Sequence, residues 1–231
     1  MKAQGTSITA DKPIMLSSGT SLIKTLVEVR KTNQGTFTRA PLMLHHVITK
    51  RFIAAVHLPH VSYNFTDGNP LGEGTAFGDV QLMMKYQFLR KDAKGKTLRA
   101  VVKTLQTFGT GESLGLEHVS FVKHQSYQGI VLGYEASKYG ISNEIGYNAI
   151  EGSDQDAFTY RIGFGLPLFK QVYPVNQLNL YFEYHNNWYT KVKEYELHYA
   201  QGIQYAIDQL TFDFAVLIPL VQDIALKEQR D

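Results

Sequence analysis

Residues 78–90, GDVQLMMKYQFLR, sort by parity into two faces of different chemistry. Val80, Leu82, Met84, Tyr86 and Phe88 fall on one face, and Asp79, Gln81, Met83, Lys85 and Gln87 on the other. Successive side chains of a β-strand point to opposite sides, so the pattern predicts a strand with one apolar and one polar face. At about 3.3 Å per residue it would extend roughly 40 Å, beyond the usual globular strand of about 5–6 residues. Tilted strands of about 9–11 residues are what cross a bilayer in outer-membrane barrels.

The alternation recurs on both sides of this stretch. Upstream, residues 21–31 set Ile23, Thr25, Val27 and Val29 against Lys24, Leu26, Glu28 and Arg30. Residues 38–48 and 51–63 read as a hairpin over Thr49-Lys50, with Phe52, Ala54, Val56 and Leu58 as the apolar set of the second strand and a less clean alternation. Downstream, residues 97–107 oppose Leu98, Ala100, Val102 and Thr104 to Arg99, Val101, Lys103 and Leu105. Gln128, Ile130, Leu132 and Tyr134 open a further strand, and residues 141–149, 158–166, 178–185, 195–205 and 210–217 repeat the pattern. Turn chemistry separates them at TNQG (32–35), KDAKGK (91–96), Lys138-Tyr139, EGSDQD (151–156), Tyr173-Pro174 and 207–209. Residues 64–77 and 108–123 are Gly-rich and long enough for external loops. Short turns alternating with long loops are the asymmetry of outer-membrane barrels.

Eleven such strand candidates make a meander, and closure into an antiparallel up-and-down barrel removes its edges. The expected organisation is all-β, one barrel domain over 1–231. Residues 1–20 form an N-terminal arm or a plug in the barrel mouth, since Pro13 argues against a central strand there. Residues 21–217 are strands, and 218–231 are a polar tail or the start of a missing strand.

Which face points inward is a question of charge. Lys24, Glu28, Arg30, Asp79, Lys85, Arg99, Lys103, Glu135, Glu144, Arg161, Glu183, Glu196 and Asp213 all take the polar parity. A soluble, lipocalin-like barrel would turn them to water; a membrane barrel turns them into its lumen. Two features favour the membrane. The polar face mixes charges of both signs with small residues (Gly133, Gly146, Gly163, Gly165, Gly202), as a crowded lumen needs, and the apolar face often ends in aromatics (Tyr86, Phe88, Tyr134, Tyr184, Tyr195, Tyr205), in the manner of interfacial girdles.

Composition excludes several other classes. No run approaches the roughly 18 apolar residues of a spanning helix, and the mean hydropathy is −0.20. The formal charge of +2, without a basic stripe, gives no reason to expect nucleic acid. Zero Cys removes disulfides, Cys-based zinc sites and thiol nucleophiles. Residues 1–10 lack an apolar signal core; Met1-Lys2-Ala3-Gln4 reads either as the tail of a signal sequence cleaved after Ala3 or as an ordinary start.

Phe77-Gly78-Asp79-Val80 followed by Lys85-Tyr86 resembles the bacterial outer-membrane family named for meta-pathway phenol degradation, whose members are described as transporters. The segment Ile8-Thr9-Ala10-Asp11-Lys12-Pro13 is similar to that family's N-terminal Asp-Arg-Pro, with Lys12 in place of Arg. The resemblance implies an outer-membrane barrel of about a dozen strands that passes small, often apolar or aromatic molecules, with no catalytic residues to carry over. Its implied partners are outer-membrane lipid, the solute, and the barrel assembly machinery during insertion. The chain departs from the pattern in ending on IPLVQDIALKEQRD (218–231) rather than on a strand closing in Phe or Tyr. Bacterial barrels normally have an even strand count, so either a closing strand is missing or the N-terminal arm supplies the twelfth.

The candidate lumen set comprises the charges above with His185 and His198. Its plain reading is mutual pairing inside a small, largely filled bore; its functional reading is a passage whose near balance of sign gives weak ion selectivity. His124-Gln125-Ser126 is the one arrangement resembling a nucleophile with its base, as a lipid esterase or deacylase in a barrel wall would need; no carboxylate is placed beside it by spacing. His45-His46 point to opposite faces of a strand and do not chelate together; His185 and His198 share the inward face and read as a hydrogen-bonded pair. No phosphate loop precedes a helix, and no metal or cofactor is expected.

Overall fold

The computed structural model describes residues 11, 13, 15, 17–32, 35–65, 72–112, 123–169 and 176–223. The turn residues Asn33-Gln34 and Tyr173-Pro174, residues 66–71 and 113–122 of the two Gly-rich stretches, residues 1–10 and the end at 224–231 lie outside them, and the remainder of the stretch expected as a loop over 64–77 is largely strand. Fifteen strands run in order: β1 Ser21–Thr25, β2 Glu28–Thr32, β3 Gly35–Arg39, β4 Leu42–Thr49, β5 Phe52–Leu58, β6 His60–Phe65, β7 Glu73–Phe77, β8 Gln81–Ala93, β9 Lys96–Thr107, β10 Gln125–Ala136, β11 Gly140–Ile150, β12 Ala157–Pro167, β13 Asn176–Tyr189, β14 Glu194–Ile207 and β15 Leu210–Asp223. The described residues contain no helix.

An 11-stranded antiparallel sheet takes the order β1-β4-β5-β8-β9-β10-β11-β12-β13-β14-β15, and a 4-stranded sheet the order β2-β3-β6-β7. The second sheet is the upward continuation of the first: β3 leads into β4 through Ala40-Pro41, β5 into β6 through Pro59, and β7 into β8 through residues 78–80. Proline has no N–H to give a ladder, so the strands break where Pro41 and Pro59 stand. Hydrogen bonds still stitch the joint, Ala40 N–H to the His60 carbonyl (2.7 Å) and Gly78 N–H to the Pro59 carbonyl (2.9 Å). Counted through the joints, the strands are the eleven runs that alternation predicts.

Three expectations need correction. The strand anticipated over 78–90 begins only at Gln81, and a bulge between Gln87 and Leu89 leaves Phe88 unpaired. Residues Ile218, Leu220 and Val221 continue the last strand instead of forming a polar tail. Among its described residues the arm forms no twelfth strand: Asp11 lies against the inward charges, and the Thr20 carbonyl accepts from Val47 N–H (2.9 Å). Among the described residues the main sheet has eleven strands, and no pairing joins β1 to β15. Both end strands are exposed along nearly their whole described length.

The sidedness of the main sheet is inverted relative to a water-soluble protein. Lys85, Gln87, Arg99, Glu144, Glu183 and Glu196 are buried, Glu144 and Glu183 to 1 % exposure, while Tyr86, Ile130, Ile145, Phe158 and Tyr184 on the opposite parity are 46–59 % exposed. Among the described residues no second sheet covers the polar face, and Asp11 and Pro13 of the arm pack against it. Lys85 on β8 and Arg161 on β12 are linked over five neighbouring strands through Asp11, Lys103 and Glu144.

Above the joint the chemistry reverses. Along β5–β6 the outward residues run Phe52, Ala54, Val56, Leu58 and then His60, Ser62, Asn64, while the inward ones end in Val61, Tyr63 and Phe65. Phe37, Val61, Phe65 and Ala76 are buried on that inner face, with the Phe37 and Phe65 rings edge-to-face at 5.4 Å. The inner face of the upper sheet is thus mainly apolar, and its outer face mixes His60, Ser62 and Asn64 with the exposed Val29 and Phe77.

Gly35 fixes the top of this sheet. Its φ of 149° and its approach to the Asn64 carbonyl leave no room for a Cβ. Gly35→Ala is expected to break the β3–β6 pairing at a cost of about 1–3 kcal/mol. Hydrogen exchange should show lost protection in β3 and β6 with β8–β14 unchanged; retained protection in β3 would contradict the assigned close approach.

Candidate functional site

The inward face of β8–β12 carries a layer of five charges. Lys103 lies 2.9 Å from the Asp11 carboxylate and 3.1 Å from Glu144, Arg161 lies 3.3 Å from Glu144, and Lys85 pairs with Asp11. Asp11 also donates its backbone N–H to Glu144 (3.2 Å). The Tyr127 hydroxyl donates to Glu144 at 2.6 Å, and the Lys103 ammonium sits 4.9 Å from the centre of the Tyr127 ring. Three cations and two carboxylates therefore neutralise most of one another where water is scarce.

Glycines make this layer possible. A Cβ at Gly129 or Gly146 would run into the Tyr127 ring or hydroxyl, so the ring lies over bare backbone on its own strand and on the next. Pro13, fully buried, occupies the same kind of gap over Gly133. The described part of the arm lies against this face, held by a salt bridge at Asp11 and by packing at Pro13.

Burial alone would raise the Asp11 carboxyl, but Lys103 and Lys85 outweigh it and hold the group well below the usual carboxylate range.

The other sequence-predicted residues fall into separate groups. Glu183 pairs with His185 at 3.1 Å, and His185 stands directly opposite His198 on β14. Glu196 accepts from Tyr189 (3.0 Å) and Asn187 (3.4 Å). Asp79 is buried at the joint, where it accepts Gly111 N–H at 2.9 Å. Glu135 is half-buried near the short-turn end. Arg99 is buried, with Nε and Nη1 lacking partners. Lys24, Glu28 and Asp213 have the inward parity but are exposed, because they sit on end strands with no neighbour to cover them; the side chain of Arg30 lies outside the described set. Asp213 still accepts from Gln204 at 2.5 Å.

Sequence reasoning missed Asp11, Tyr127, Tyr181 and Gln204. Tyr181 and Asn179 both donate to Gln204 (2.9 and 3.3 Å), a second inward network. Parity would have found Tyr127, which shares its face with Gly129.

Ser126 accepts amide hydrogens from Gln106 (2.9 Å) and Gln128 (3.3 Å) on the outward face, and His124 packs against Phe108 with ring centroids 5.7 Å apart. No hydrogen bond joins His124 to Ser126 among the described residues. His46 meets Ser21 at 3.0 Å on the outside, while His45 turns inward beside His57 (5.5 Å). The described residues contain no cluster of three metal-ligating side chains.

A cavity of about 330 Å³ opens above the charged layer, toward the long loops. Lys103, Tyr127 and Arg161 form its base, carboxamides of Gln81, Gln125, Asn148 and Asn187 its polar wall, and Leu105, Ile150 and Ala157 an apolar strip.

No protein-family model and no curated protein matches this chain.

Two outcomes test the layer. Tyr127→Phe removes a donor to a buried carboxylate and is expected to cost about 1.5–3 kcal/mol in the denaturant midpoint of the folded protein. Gly146→Val acts on the same contact by displacing the ring, so the double variant should lose much less than the sum of the two single losses. For Asp11, a lowered folded value means that its contact stabilises the docked arm fully above the ordinary carboxyl value of about 3.9 and is lost only as pH falls through the lower folded value. Carboxyl carbon-13 titration should therefore find Asp11 still ionised near pH 4; a midpoint at the ordinary value would mean an undocked arm.

Proposed function

We propose that this chain is a transmembrane antiparallel β-barrel of a Gram-negative outer membrane, passing a small solute through a polar lumen that the N-terminal arm narrows. The observation that carries this reading is the inverted sidedness: buried charges within, exposed Leu, Ile, Phe and Tyr without. In water such a surface would be an aggregation hazard, whereas against lipid it is the favourable arrangement.

The outward aromatics support the same reading. Tyr147, Phe158, Trp188 and Tyr195 stand opposite one another on four successive strands, with ring centroids 4.8 Å (Tyr147–Phe158) and 6.1 Å (Phe158–Trp188) apart. Tyr134, Tyr139 and Phe164 form a second chain at the short-turn end. Along β14, Tyr195 and Tyr205 are about 33 Å apart at ~3.3 Å per residue, and a strand tilt of about 40° reduces that to roughly 25 Å, the height of an outer-membrane apolar band. The reversal of chemistry at Leu58 and Pro59 then marks where the outer leaflet ends. The upper sheet and the long loops face outward, and the short turns and the arm face the periplasm.

The resemblance around Gly78-Asp79 and Lys85-Tyr86 points to the same class, a passive passage for a small apolar or aromatic molecule. A plugged accessory barrel is the second reading, favoured by the ion-paired layer across the hollow. The lipid-hydrolase reading gains nothing from Ser126, whose hydroxyl is engaged by Gln106 and Gln128.

Circular dichroism and heat-modifiable gel mobility of the refolded chain test the proposal: β-rich, heat-modifiable protein is expected in detergent micelles only, and cooperative monomeric folding in plain buffer would overturn it. Two substitutions on one strand face sharpen the test. Val56→Arg should destabilise the micelle- or bilayer-folded protein by about 2–4 kcal/mol if near the midplane, while Asn64→Arg, above the joint, should stay within about 0.5 kcal/mol. Equal effects would remove the proposed boundary.

A further inference from the structure

Asp11 is a carboxylate held between two lysines, one of which, Lys103, also lines an open cavity, and it reaches them on a tether. Lys103 both contacts Asp11 at 2.9 Å and lines the cavity, and Arg161, which also lines it, lies 3.3 Å from Glu144, its Nε without a hydrogen bond among the described residues. Among the described residues the layer holds three cations and two carboxylates, a balance that suits an anionic ligand. The cavity volume of about 330 Å³ lies at the small end of ligand sites. Its Tyr127 and Tyr189 rings and its Leu105–Ile150–Ala157 strip suit a flat apolar body, and its carboxamides suit a polar rim.

We infer that the Lys85–Lys103 pair is a binding site for a small organic carboxylate with an aromatic or alicyclic body, which Asp11 occupies when no ligand is present. The inference deepens the proposed passage and rests on it for direction: the ligand enters from the long-loop side, takes Lys103 from Asp11, and loosens one of the arm's holds. Pro13 over Gly133 and the Thr20–Val47 hydrogen bond remain, so the arm slackens without leaving the sheet. No bond is made or broken; one carboxylate replaces another. A tethered competitor acts at an effective concentration in the millimolar range, so an untethered carboxylate exchanges with it at millimolar levels and binds more tightly once it is gone.

The test is calorimetric titration of the full chain, folded in micelles, with benzoate and with benzyl alcohol, its uncharged analogue. Asp11→Asn is expected to tighten benzoate by about tenfold or more and to leave benzyl alcohol within about twofold. Lys103→Gln in the Asp11→Asn background should abolish the gain, and Lys103→Arg, which keeps the charge if the Gln variant misfolds, should preserve most of it. Unchanged benzoate affinity in Asp11→Asn, or equal tightening of both probes, overturns the inference. Because folding in micelles is scored separately, its failure counts against the membrane reading, and a null titration of a well-folded barrel counts against the carboxylate site alone.

Discussion

The layer formed by Asp11, Lys85, Lys103, Glu144 and Arg161 is the interaction on which the rest of the fold depends. Each of these groups would be expensive to hold away from water alone, and removing one partner leaves another charge uncompensated. The layer therefore constrains everything around it. Glu144 needs its Tyr127 donor, Tyr127 needs Gly129 and Gly146 bare, and Asp11 needs the arm to pass over Gly133. Glycines that weaken a strand intrinsically are retained because larger residues elsewhere fill the space they leave. The network runs over neighbouring strands: Lys85 stands opposite Lys103 and Glu144 opposite Arg161, and Lys103 reaches Glu144 over β10.

A second constraint acts at the joint. The strands that pass through Pro41, Pro59 and residues 78–80 keep their hydrogen-bonded neighbours but exchange the chemistry of their faces. On β5–β6 the parity is continuous, so the exchange lies in the residues themselves: apolar outward up to Leu58, polar outward from His60. On β7–β8 the backbone participates, and residues 78–80 move the inward side from Gly74 and Ala76 to Met83 and Lys85. Under the proposed membrane reading, two environments on one continuous strand would account for both patterns, with lipid below and water above.

The strands and their sidedness were legible in the sequence because a period of two survives whichever face is buried. Residues 141–149 and 158–166 show this, their alternation matching the observed faces along their whole length. The joints were not legible. Alternation continues through Leu58-Pro59-His60, and only the identity of the outward residues changes. Phe88 lies outside the pairing because bulges carry no compositional mark in so apolar a strand. Ile218 and Leu220 looked like a tail beside Pro219 and the polar residues that follow, although an end strand tolerates a proline. Asp11 was the least legible of the site residues, since its partners lie 74 and 133 positions away. The Pro beside it spoke only for an arm, and nothing local indicates which strand an arm will reach.

The inward charges are segregated as well as balanced. Lys85, Arg99 and Lys103 stand on β8 and β9, whereas Glu135, Glu144, Glu183 and Glu196 stand on β10 through β14, with Arg161 the cation among them. A balanced count alone implies weak selectivity, as the sequence suggested. Separated signs in a low-dielectric enclosure instead set up a field across the hollow. A carboxylate entering that field is drawn to the β8–β9 wall, and Asp11 is found against that wall. The arm's position is thus the expected resting place of any small anion admitted to the hollow, and the same field would orient a dipolar solute with its negative end toward Lys103. Shape sets which molecules fit the cavity; the segregated wall sets which way round they lie.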